Sequence, residues 1–229
     1  MIVYMEKQFR EIAALIGDPV RATIMWKLLD GKAFTATELA IAADTSASNI
    51  SMHLTKLVQA NLLVVESQGR HRYYKFSGKE IAYAIEAMVQ LVPASKRQQY
   101  QDENIPAIKQ CRTCYDHLAG KTGVAITDSL LRQKIIIDNN GSFELSNKGR
   151  KWFVHMEIDV PLLEQQRRSF LRPCLDWSER RYHMAGSLPA ALLTKMLAQD
   201  WLRRVKNSRA VIITAKGEKN LYELLGLRD

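Results

Sequence analysis

Cysteine and histidine side chains recur in this sequence at spacings that could hold a soft metal ion. In QCRTCYDHLAG a second cysteine follows the first by three positions and a histidine follows by three more, and another cysteine and histidine come later. The candidate metal or redox residues are Cys111, Cys114, His117, Cys174 and His183. Two thiolates from the first segment, with Cys174 and one histidine, would satisfy tetrahedral zinc or another thiophilic metal. A thiol switch, or a structural role with buried cysteines and histidines that cap turns, are alternatives that the spacing leaves open.

The segment around the first two cysteines must position them. If IPAIKQCRTCYDHLAG is helical, Cys111 and Cys114 lie on the same side of the helix. His117 then lies about 120° away from Cys111, so the helix would have to end and bend near Gly120 before all three could meet.

A second group of side chains could bind an organic ligand. Trp177, Arg181 and Tyr182 in CLDWSERRYH combine aromatic rings with a cation, as a pocket for an anionic or aromatic effector does. Packing between domains is the alternative.

Length and composition fit a globular chain with room for two domains, with 229 residues, 47% hydrophobic and 25% charged. No apolar run approaches the ~20 residues of a membrane helix, and the first residues lack a secretion-signal pattern. Three cysteines are too few for a disulfide framework, so we expect a reducing, cytoplasmic location. Phosphate-binding glycine loops, His-Glu-x-x-His and Gly-x-Ser-x-Gly are absent from the sequence, which argues against an enzyme.

The charge is positive and unevenly distributed. The formal net charge is +9; residues 1–95 hold 10 Lys and Arg against 9 Asp and Glu, whereas residues 96–229 hold 23 against 15. A polyanionic partner is expected, nucleic acid before membrane.

The first part of the chain has the element order of a helix-turn-helix. One helix is predicted over residues 6–16, and another runs from Asp18 and Pro19, as N-cap and first helical residue, to about Asp30. TATELAIAA (35–43) begins with a Thr and Glu capping pattern and predicts a short helix. The turn DTSAS and a longer helix, SASNISMHLTKLVQANLL, follow, which completes a helix-turn-helix.

A predicted β-hairpin, LLVVESQGRHRYYKFS at 62–77, follows directly and would be the wing, with Gly69 near its tip. On the longer helix Ile50, Leu54 and Leu57 form the buried face, and polar residues able to pair with bases or phosphates form the other. The predicted DNA-binding residues are Ser46, Ser48, Asn49, Ser51, Met52, His53, Lys56, Arg70, His71 and Arg72. An ordinary solvated helix face is the alternative for the helix residues.

These segments resemble the arsenical-resistance-repressor (ArsR) family of bacterial winged-helix transcription regulators. IGDPVRATIMWKLL is similar to that family's opening LADPTRRRIL segment, SASNISMHLTKLVQANLL to its recognition helix and GRHRYY to its wing, so the resemblance covers roughly residues 6–92. It implies a homodimer on a palindromic operator, usually a repressor released by an inducer, with the dimer formed largely by the first and last helices of the domain. The last helix here is GKEIAYAIEAMVQLV (78–92). Met52 departs from the family, which often has Arg there.

Two inducer sites common in the family have no counterpart here. Where metal-sensing members carry ELCVC, this chain has ELAIA, with Ala40 and Ala42 in place of the thiols. The predicted dimer helix has no histidine for the family's second type of metal site. Any sensing is therefore expected in residues 93–229.

The C-terminal part contains two similar segments. HLAGKTGVAITDSLLRQKII (117–136) aligns with HMAGSLPAALLTKMLAQDWL (183–202) at an offset of 66 residues. Each unit is predicted as a His-x-Ala-Gly turn, a helix, a hairpin, and a helix opened by Ser/Thr-x-Lys-Gly. A chance match of a common helix–hairpin pattern is the alternative. The second hairpin has a basic cluster, which could hold DNA backbone or be an ordinary solvated surface: Arg203, Arg204, Lys206 and Arg209.

The predicted fold class is mainly α with small β-hairpins (α+β). A winged helix-turn-helix at 1–92 and a linker at 93–106 precede a C-terminal domain at 107–229, built from two degenerate winged-helix-like repeats at about 107–160 and 170–226. The predicted function is a DNA-binding transcriptional regulator, a homodimeric ArsR-type repressor modulated through the C-terminal domain by a metal, thiol chemistry or a small effector. An RNA-binding or nucleoid-type winged-helix protein without an inducer is the alternative, although A-form RNA closes its major groove to a helix.

Overall fold

The computed structural model describes residues 2–92, 105–206 and 208–227. The chain divides into two compact units, Met1–Val89 and Gln90–Asp229, which are described separately below. Most of the predicted linker, residues 93–104, lies outside the described residues. None of the described helices is long and apolar enough to cross a membrane.

The N-terminal unit is a three-stranded sheet with five helices. The helices are α1 (Ile2–Ile16), α2 (Pro19–Leu28), α3 (Ala36–Ala42), α4 (Ala47–Gln59) and α5 (Lys79–Met88), which continues into a 3-10 turn at Val89–Leu91. The strands are β1 (Phe34–Thr35), β2 (Leu63–Gln68) and β3 (His71–Phe76), in the antiparallel order β1-β3-β2. The predicted winged helix-turn-helix is confirmed.

Local capping explains where the helices of the N-terminal unit begin. The Asp18 side chain accepts a hydrogen bond from the backbone N–H of Arg21, and Pro19 occupies the first helical turn. Thr35 and Glu38 form a reciprocal capping box at the start of α3. Ser46 caps α4 by accepting a hydrogen bond from the backbone N–H of Asn49. The starts of α2 and α3 were predicted from these side chains, whereas the capping role of Ser46 was not, and each cap satisfies N–H groups that a helix leaves unpaired.

The C-terminal unit consists of four two-stranded hairpins and six helices among its described residues. The strands are β4 (Arg112–Cys114), β5 (His117–Ala119), β6 (Ile136–Asn139), β7 (Ser142–Leu145), β8 (Arg172–Leu175), β9 (Tyr182–Ala185), β10 (Leu202–Arg204) and β11 (Val211–Ile213). The helices are α6 (Ile105–Gln110), α7 (Gly120–Arg132), α8 (Asn147–His155), α9 (Val160–Glu164), α10 (Ser187–Ala198) and α11 (Ala215–Leu225).

The order hairpin, helix, hairpin, helix occurs twice in this unit, beginning at β4 and again at β8. We refer to β4 to α8 as the first half and β8 to α11 as the second half. Both halves contribute to one hydrophobic core, which includes Phe153, Leu130, Leu188 and Leu221. That the halves are winged-helix-like repeats stays a prediction.

Two expectations about the cysteine segment were wrong. The segment is not one helix: α6 ends at Gln110, and Cys114 lies in the following strand β4. The histidines do not cap turns either, because His117 and His183 lie within strands β5 and β9. Strands of three residues are too short to show a clear periodicity in the sequence. Two cysteines three positions apart are compatible with a strand as well as with a helix.

The last position of each His-x-Ala-Gly motif requires glycine for a physical reason. Gly120 and Gly186 have φ values of +77° and +120°, which allow the chain to leave a strand and begin a helix at once. A Cβ atom at Gly120 would lie 2.5 Å from the carbonyl oxygen of Lys109, and one at Gly186 would lie 2.5 Å from that of Phe170. These glycines therefore permit both the unusual φ and the close backbone approach.

Substitution Gly120→Ala should destabilise the C-terminal unit by about 2–4 kcal/mol, because left-handed strain adds to the steric overlap. Gly141→Ala is the matched control, since Gly141 also has a positive φ (+83°) but no atom within 4 Å of the added Cβ; it should cost only about 1–2 kcal/mol. Urea unfolding followed by tryptophan fluorescence measures both. Equal losses for the two variants would show that backbone packing against Gly120 is unimportant.

Candidate DNA interface and candidate metal centre

Helix α4 has an exposed, largely polar face opposite the face that carries its buried leucines. Ser46, Ser48, Ser51, Met52 and Lys56 are exposed. The hydroxyl of Ser51 donates to the carbonyl of Ala47, and that of Ser46 caps the helix. Asn49 is half-buried, and its amide donates to the Thr45 hydroxyl at 2.7 Å. The hydroxyl of Ser48 lies 3.1 Å from that of Ser46, and the exposed side chains of Ser48, Met52 and Lys56 are those best placed to meet bases and phosphates.

His53 lies on the buried face of α4, contrary to the expectation that it faces outward. It is 5% exposed, and its Nδ1 lies 3.3 Å from Nη1 of Arg21 and 3.4 Å from a carboxylate oxygen of Asp18. Its position three residues after Ile50 and four before Leu57 puts it on the apolar side of the helix. This placement assigns His53 to holding α4 against α2 rather than to contacting DNA.

Arg21 is the structural residue that sequence reasoning missed. Its side chain is almost fully buried and donates to the carbonyls of Leu15 (2.6 Å) and Ala14 (3.1 Å) at the end of α1. The same guanidinium contacts His53 of α4 and lies near Asp18, the N-cap of α2. The hydrogen bond from the backbone N–H of Arg21, together with the positive charge of its guanidinium, holds the pKa of the Asp18 carboxyl below its usual value, against burial. Arg21 therefore fixes the orientation of three helices, including the predicted recognition helix.

The predicted wing residues are exposed on the hairpin β2–β3. Gly69 has φ +60° at the tip, and the three basic or imidazole side chains that follow it, Arg70, His71 and Arg72, are all exposed. Cross-strand register pairs His71 with Gln68 and Arg72 with Ser67, so no carboxylate stands directly opposite either residue. The wing thus offers positive charge to an anion.

Two hairpins of the C-terminal unit each carry a cysteine opposite a histidine. In β4–β5 the register pairs Cys114 with His117, and in β8–β9 it pairs Cys174 with His183. Opposite residues on the same face of an antiparallel pair lie about 5 Å apart at Cβ, so each hairpin presents one thiol and one imidazole together. The two hairpins belong to the two halves of the unit.

The four side chains converge in the interior of the C-terminal unit. One ligand atom from each of Cys114, His117, Cys174 and His183 lies within 4.8 Å of all the others, and we refer to these four residues as the Cys–His cluster. The Nε2 atoms of His117 and His183 are 3.1 Å apart. Cys114 and both histidines are buried, whereas Cys174 is partly exposed. Thiolate and imidazole in this arrangement can coordinate a soft or borderline metal ion.

The sulfur of Cys174 interacts with the other three residues of the cluster. The pKa of its thiol is lowered to about 2, first because of a hydrogen bond from Cys114, and then because of His117 and His183, whose hydrogen bonds outweigh burial. The pKa of His183 is raised, since the nearby Asp176 carboxylate and Cys174 sulfur outweigh the burial that opposes protonation. A thiolate at Cys174 is the form that binds metals and reacts with electrophiles.

Cys111 does not belong to the cluster, contrary to the sequence expectation. It is 1% exposed and belongs to the hydrophobic core of the C-terminal unit. Its backbone carbonyl accepts a hydrogen bond from the N–H of Val211, at the start of β11. The residue predicted as one half of a Cys-x-x-Cys site is therefore a small apolar core residue.

A buried carboxylate, Asp176, lies beside the cluster. It is fully buried; its Oδ1 accepts from Arg112 at 2.8 Å, its Oδ2 accepts from the Gly120 N–H at 2.7 Å, and Oδ2 lies 3.1 Å from Nδ1 of His183. That last approach lies outside good hydrogen-bond geometry, and Nδ1 has no other partner among the described residues. Burial would raise the pKa of Asp176, but His183 and Arg112 together lower it below its usual value.

His117, the other histidine of the cluster, also has a neighbouring carboxylate, Asp116, which is more exposed than Asp176. Asp116 Oδ1 lies 3.3 Å from Nδ1 of His117, and its Oδ2 accepts from Arg168 at 2.8 Å. The Asp116 side chain is 21% exposed, whereas that of Asp176 is 0% exposed. Each histidine of the Cys–His cluster therefore has a carboxylate on the side away from the other ring, and each carboxylate is held by an arginine.

The three residues of the predicted effector pocket differ in their contacts and exposure. Trp177 stacks on the guanidinium of Arg112, with 4.6 Å between Arg112 Cζ and the ring centroid. Arg181 pairs instead with Asp128 at 2.8 Å, and Tyr182 is 54% exposed. These three side chains have different neighbours, and a shared effector pocket stays a prediction. Trp177 helps to bury Arg112, which is a structural role.

The hairpin β10–β11 exposes fewer unpaired basic side chains for DNA contact than its sequence predicts. Arg203 forms a bidentate pair with Asp200, and Arg209 is buried at 5% exposure. Within the part of the chain that the structure describes, Arg204 and Lys206 of the predicted basic cluster are exposed and have no ion pair of this kind. The positive surface of this hairpin is therefore about half of that expected.

Comparison with known proteins identifies the family. A family model described as a helix-turn-helix domain matches residues 16–66. The uncharacterized HTH-type transcriptional regulator YdfF of Bacillus subtilis (strain 168) is 38% identical over 215 residues, which cover 93% of this chain and 95% of the relative. This chain belongs to the HTH-type transcriptional regulators. The resemblance predicted from the recognition helix and the wing is thereby confirmed, and the regulator carries a DNA-binding helix-turn-helix.

Other relatives match less than half of this regulator. The HTH-type transcriptional regulator CmtR of Mycobacterium tuberculosis (strain ATCC 25618 / H37Rv) is 32% identical over 89 residues, 39% of this chain and 75% of the relative. Its solution structure, titled a cadmium metal-sensor, covers 38% of this chain with TM-score 0.31. A homodimeric winged helix-turn-helix domain from Mycobacterium bovis, titled a possible ArsR-family regulator, is 18% identical and covers 44% of this chain and 88% of its own, with TM-score 0.36.

Substitutions on α4 should separate positioning from DNA contact. His53→Ala removes a buried partner of Arg21 and should lower the unfolding free energy by about 1–3 kcal/mol. Lys56→Ala, on the exposed face of the same helix, should leave stability within about 0.5 kcal/mol but weaken DNA binding several-fold and reduce the dependence on salt. Thermal unfolding and fluorescence anisotropy with labelled duplex DNA measure the two effects. Unchanged stability in His53→Ala would contradict the assigned role of the Arg21–His53 contact.

Proposed function

We propose that this chain is a homodimeric repressor of the ArsR type whose binding to a DNA operator is modulated through its C-terminal unit. The observation that carries the proposal is the surface formed by α4 and the wing. There Ser48, Met52 and Lys56 face outward on a helix long enough to enter a major groove, and Arg70 and Arg72 follow on the hairpin. Such a regulator acts on DNA in the cytoplasm and catalyses no reaction.

The proposed homodimer is supported by apolar side chains at both ends of the N-terminal unit. Tyr4, Met5 and Phe9 of α1 are 66%, 62% and 72% exposed, and Met88 at the end of α5 is 42% exposed. Large apolar groups concentrated on two helices are costly in water and typical of an interface. A second copy packed by two-fold symmetry would cover them. The palindromic operator expected for the family requires the same symmetry.

The Cys–His cluster is the proposed place at which a modulator acts. Ala40 and Ala42 provide no thiol in α3, so the N-terminal unit lacks the Cys-x-Cys type of site. In the C-terminal unit, two thiols and two imidazoles converge, which supports zinc or another thiophilic metal as the ligand. Thiol chemistry at the partly exposed Cys174 is the second candidate, favoured by its lowered pKa. The cadmium named in the CmtR title belongs to that protein; the proposal for this chain relies on its own four side chains.

DNA binding through the wing should depend on salt in a manner that identifies the contacts. In a dimer, Arg70→Ala with Arg72→Ala removes four arginines, and the slope of log K against log salt should fall by roughly 2–4. Arg203→Ala is the control, because Arg203 is already paired with Asp200; its slope should not change. Fluorescence anisotropy with duplex DNA from the regulator's own promoter, at several salt concentrations, provides the slopes.

The same assay tests the rival function. If structured RNA binds more tightly than promoter duplex, or if the wing variant and the control have equal slopes, the proposal of an operator-binding winged helix is wrong. If binding is tight but independent of duplex sequence, the regulator is of the nucleoid type. Analytical ultracentrifugation on the same samples tests the dimer.

A further inference from the structure

We propose that the Cys–His cluster is a closed four-coordinate site for one zinc-class ion (Zn²⁺, Cd²⁺ or Co²⁺), and that Asp176 is the positioning residue that orients its His183 ligand. This inference deepens the proposed function by naming the ligand of the C-terminal unit and the group that tunes it. It rests on the proposed function only for its effect on operator binding, because metal binding by the protein is measured without DNA.

The spacing of the ligand atoms fits one tetrahedral ion. With zinc bonds of about 2.3 Å to sulfur and 2.0–2.1 Å to nitrogen, ligand atoms lie roughly 3.3–3.8 Å apart. The Nε2 atoms of His117 and His183 are 3.1 Å apart, and no pair within the four exceeds 4.8 Å. A shift of a fraction of an ångström in each side chain reaches the bonding geometry. Both histidines would bind through Nε2, because their Nδ1 atoms face Asp116 and Asp176.

The chemistry of the donors selects the class of ion. Two thiolates and two neutral imidazoles suit zinc, cadmium and cobalt(II), whereas Mg²⁺ and Ca²⁺ take oxygen ligands. The two thiolates balance the charge of a divalent ion, and the neighbouring Asp176 is already balanced by Arg112. Four protein ligands leave no coordination position for water, so the site is of the closed rather than the catalytic type.

The hairpin register makes the site a connection between the two halves of the C-terminal unit. Each hairpin supplies one cysteine and one histidine, so neither half alone holds more than two ligands. A bound ion would therefore link β4–β5 to β8–β9 by four strong bonds. Burial of the two histidines and Cys114 excludes water from these bonds, and Cys174, the partly exposed ligand, marks the side by which an ion enters.

Asp176 has the position and the support that an outer-shell partner needs. A carboxylate beside the second ring nitrogen of a ligating histidine fixes the ring orientation and its tautomer, and such partners change metal affinity by about 10–100-fold. Asp176 is itself fixed by Arg112 and by the N–H groups of Gly120, Ser178 and Glu179. Nδ1 of His183 has no other partner among the described residues, so a small rotation of the ring gives it a hydrogen bond to Asp176. Asp116 is more exposed to solvent than Asp176 and should matter less.

The metal site is tested with reduced, metal-free, full-length protein. Native mass spectrometry with Zn²⁺ should find one ion per chain. Titration with Co²⁺ should give the strong visible absorption of a tetrahedral site together with a thiolate-to-metal charge-transfer band. Cys114→Ser, Cys174→Ser and His183→Gln should each weaken metal binding by at least 100-fold. Cys111→Ala is the matched control, and its stoichiometry and affinity should equal those of the parent protein.

Three results would overturn the site. They are an absence of bound metal, a weak octahedral Co²⁺ spectrum, and a loss of metal binding in a folded Cys111→Ala protein. If metal binds as expected but promoter affinity is the same with and without it, the site stands and metal control of the operator is wrong. If promoter DNA does not bind at all, the proposed function fails independently of the metal result.

The positioning role of Asp176 is tested with Asp176→Asn and with Asp116→Asn as its counterpart on the other histidine. Zinc affinity, measured by competition with a chromophoric chelator, should fall about 10–100-fold in Asp176→Asn and less in Asp116→Asn. The Co²⁺ band should also shift in Asp176→Asn, which a purely structural role would not cause. Asp176→Glu retains the charge opposite Arg112 while displacing the carboxylate from His183, so it should fold and still lose affinity. Unchanged affinity in Asp176→Glu or in Asp176→Asn would contradict the positioning role.

Discussion

The buried ion pair between Arg112 and Asp176 is the interaction on which the C-terminal unit depends. Both side chains are inaccessible to water, and removing one partner of such a pair typically costs about 3–5 kcal/mol, because the other charge is left uncompensated. The pair is satisfied further by Trp177 over the guanidinium and by the N–H of Gly120 on the carboxylate. Since Arg112 begins β4 and Asp176 follows β8, the pair joins the first half to the second where their hairpins meet.

This constraint also places the Cys–His cluster. Cys114 lies two residues after Arg112 and Cys174 lies two residues before Asp176, so pairing of Arg112 with Asp176 brings the two cysteines close together. Antiparallel register then brings each histidine opposite its cysteine. A comparable device operates in the N-terminal unit, where buried Arg21 ties the end of α1 and the start of α2 to the recognition helix. In each unit one buried arginine satisfies groups from several elements and so sets the orientation of the surface or cluster that is proposed to act.

The N-terminal unit could be predicted almost completely from its residues, because its signals are local. Asp18 with Pro19, Thr35 with Glu38, and Ser46 each mark a helix start by a hydrogen bond within four residues of itself. The wing follows from β-forming residues on both sides of Gly69. What failed there was His53: its spacing from Ile50 and Leu57 is that of the apolar side of α4, but it was assigned to the exposed face because it is polar. Its ring is buried in contact with Arg21.

In the C-terminal unit the sequence by itself determined which residue types were available, but not which of them meet. The offset of 66 aligned His117 with His183, and their Nε2 atoms are indeed in contact. The same offset does not align Cys114 with Cys174, because two residues separate Cys114 from His117 whereas eight separate Cys174 from His183. Local pattern favoured Cys111 as a partner for Cys114. Tertiary structure decided otherwise, since pairing across a strand depends on register and on the length of the connecting loop, and a core position depends on elements a hundred residues away.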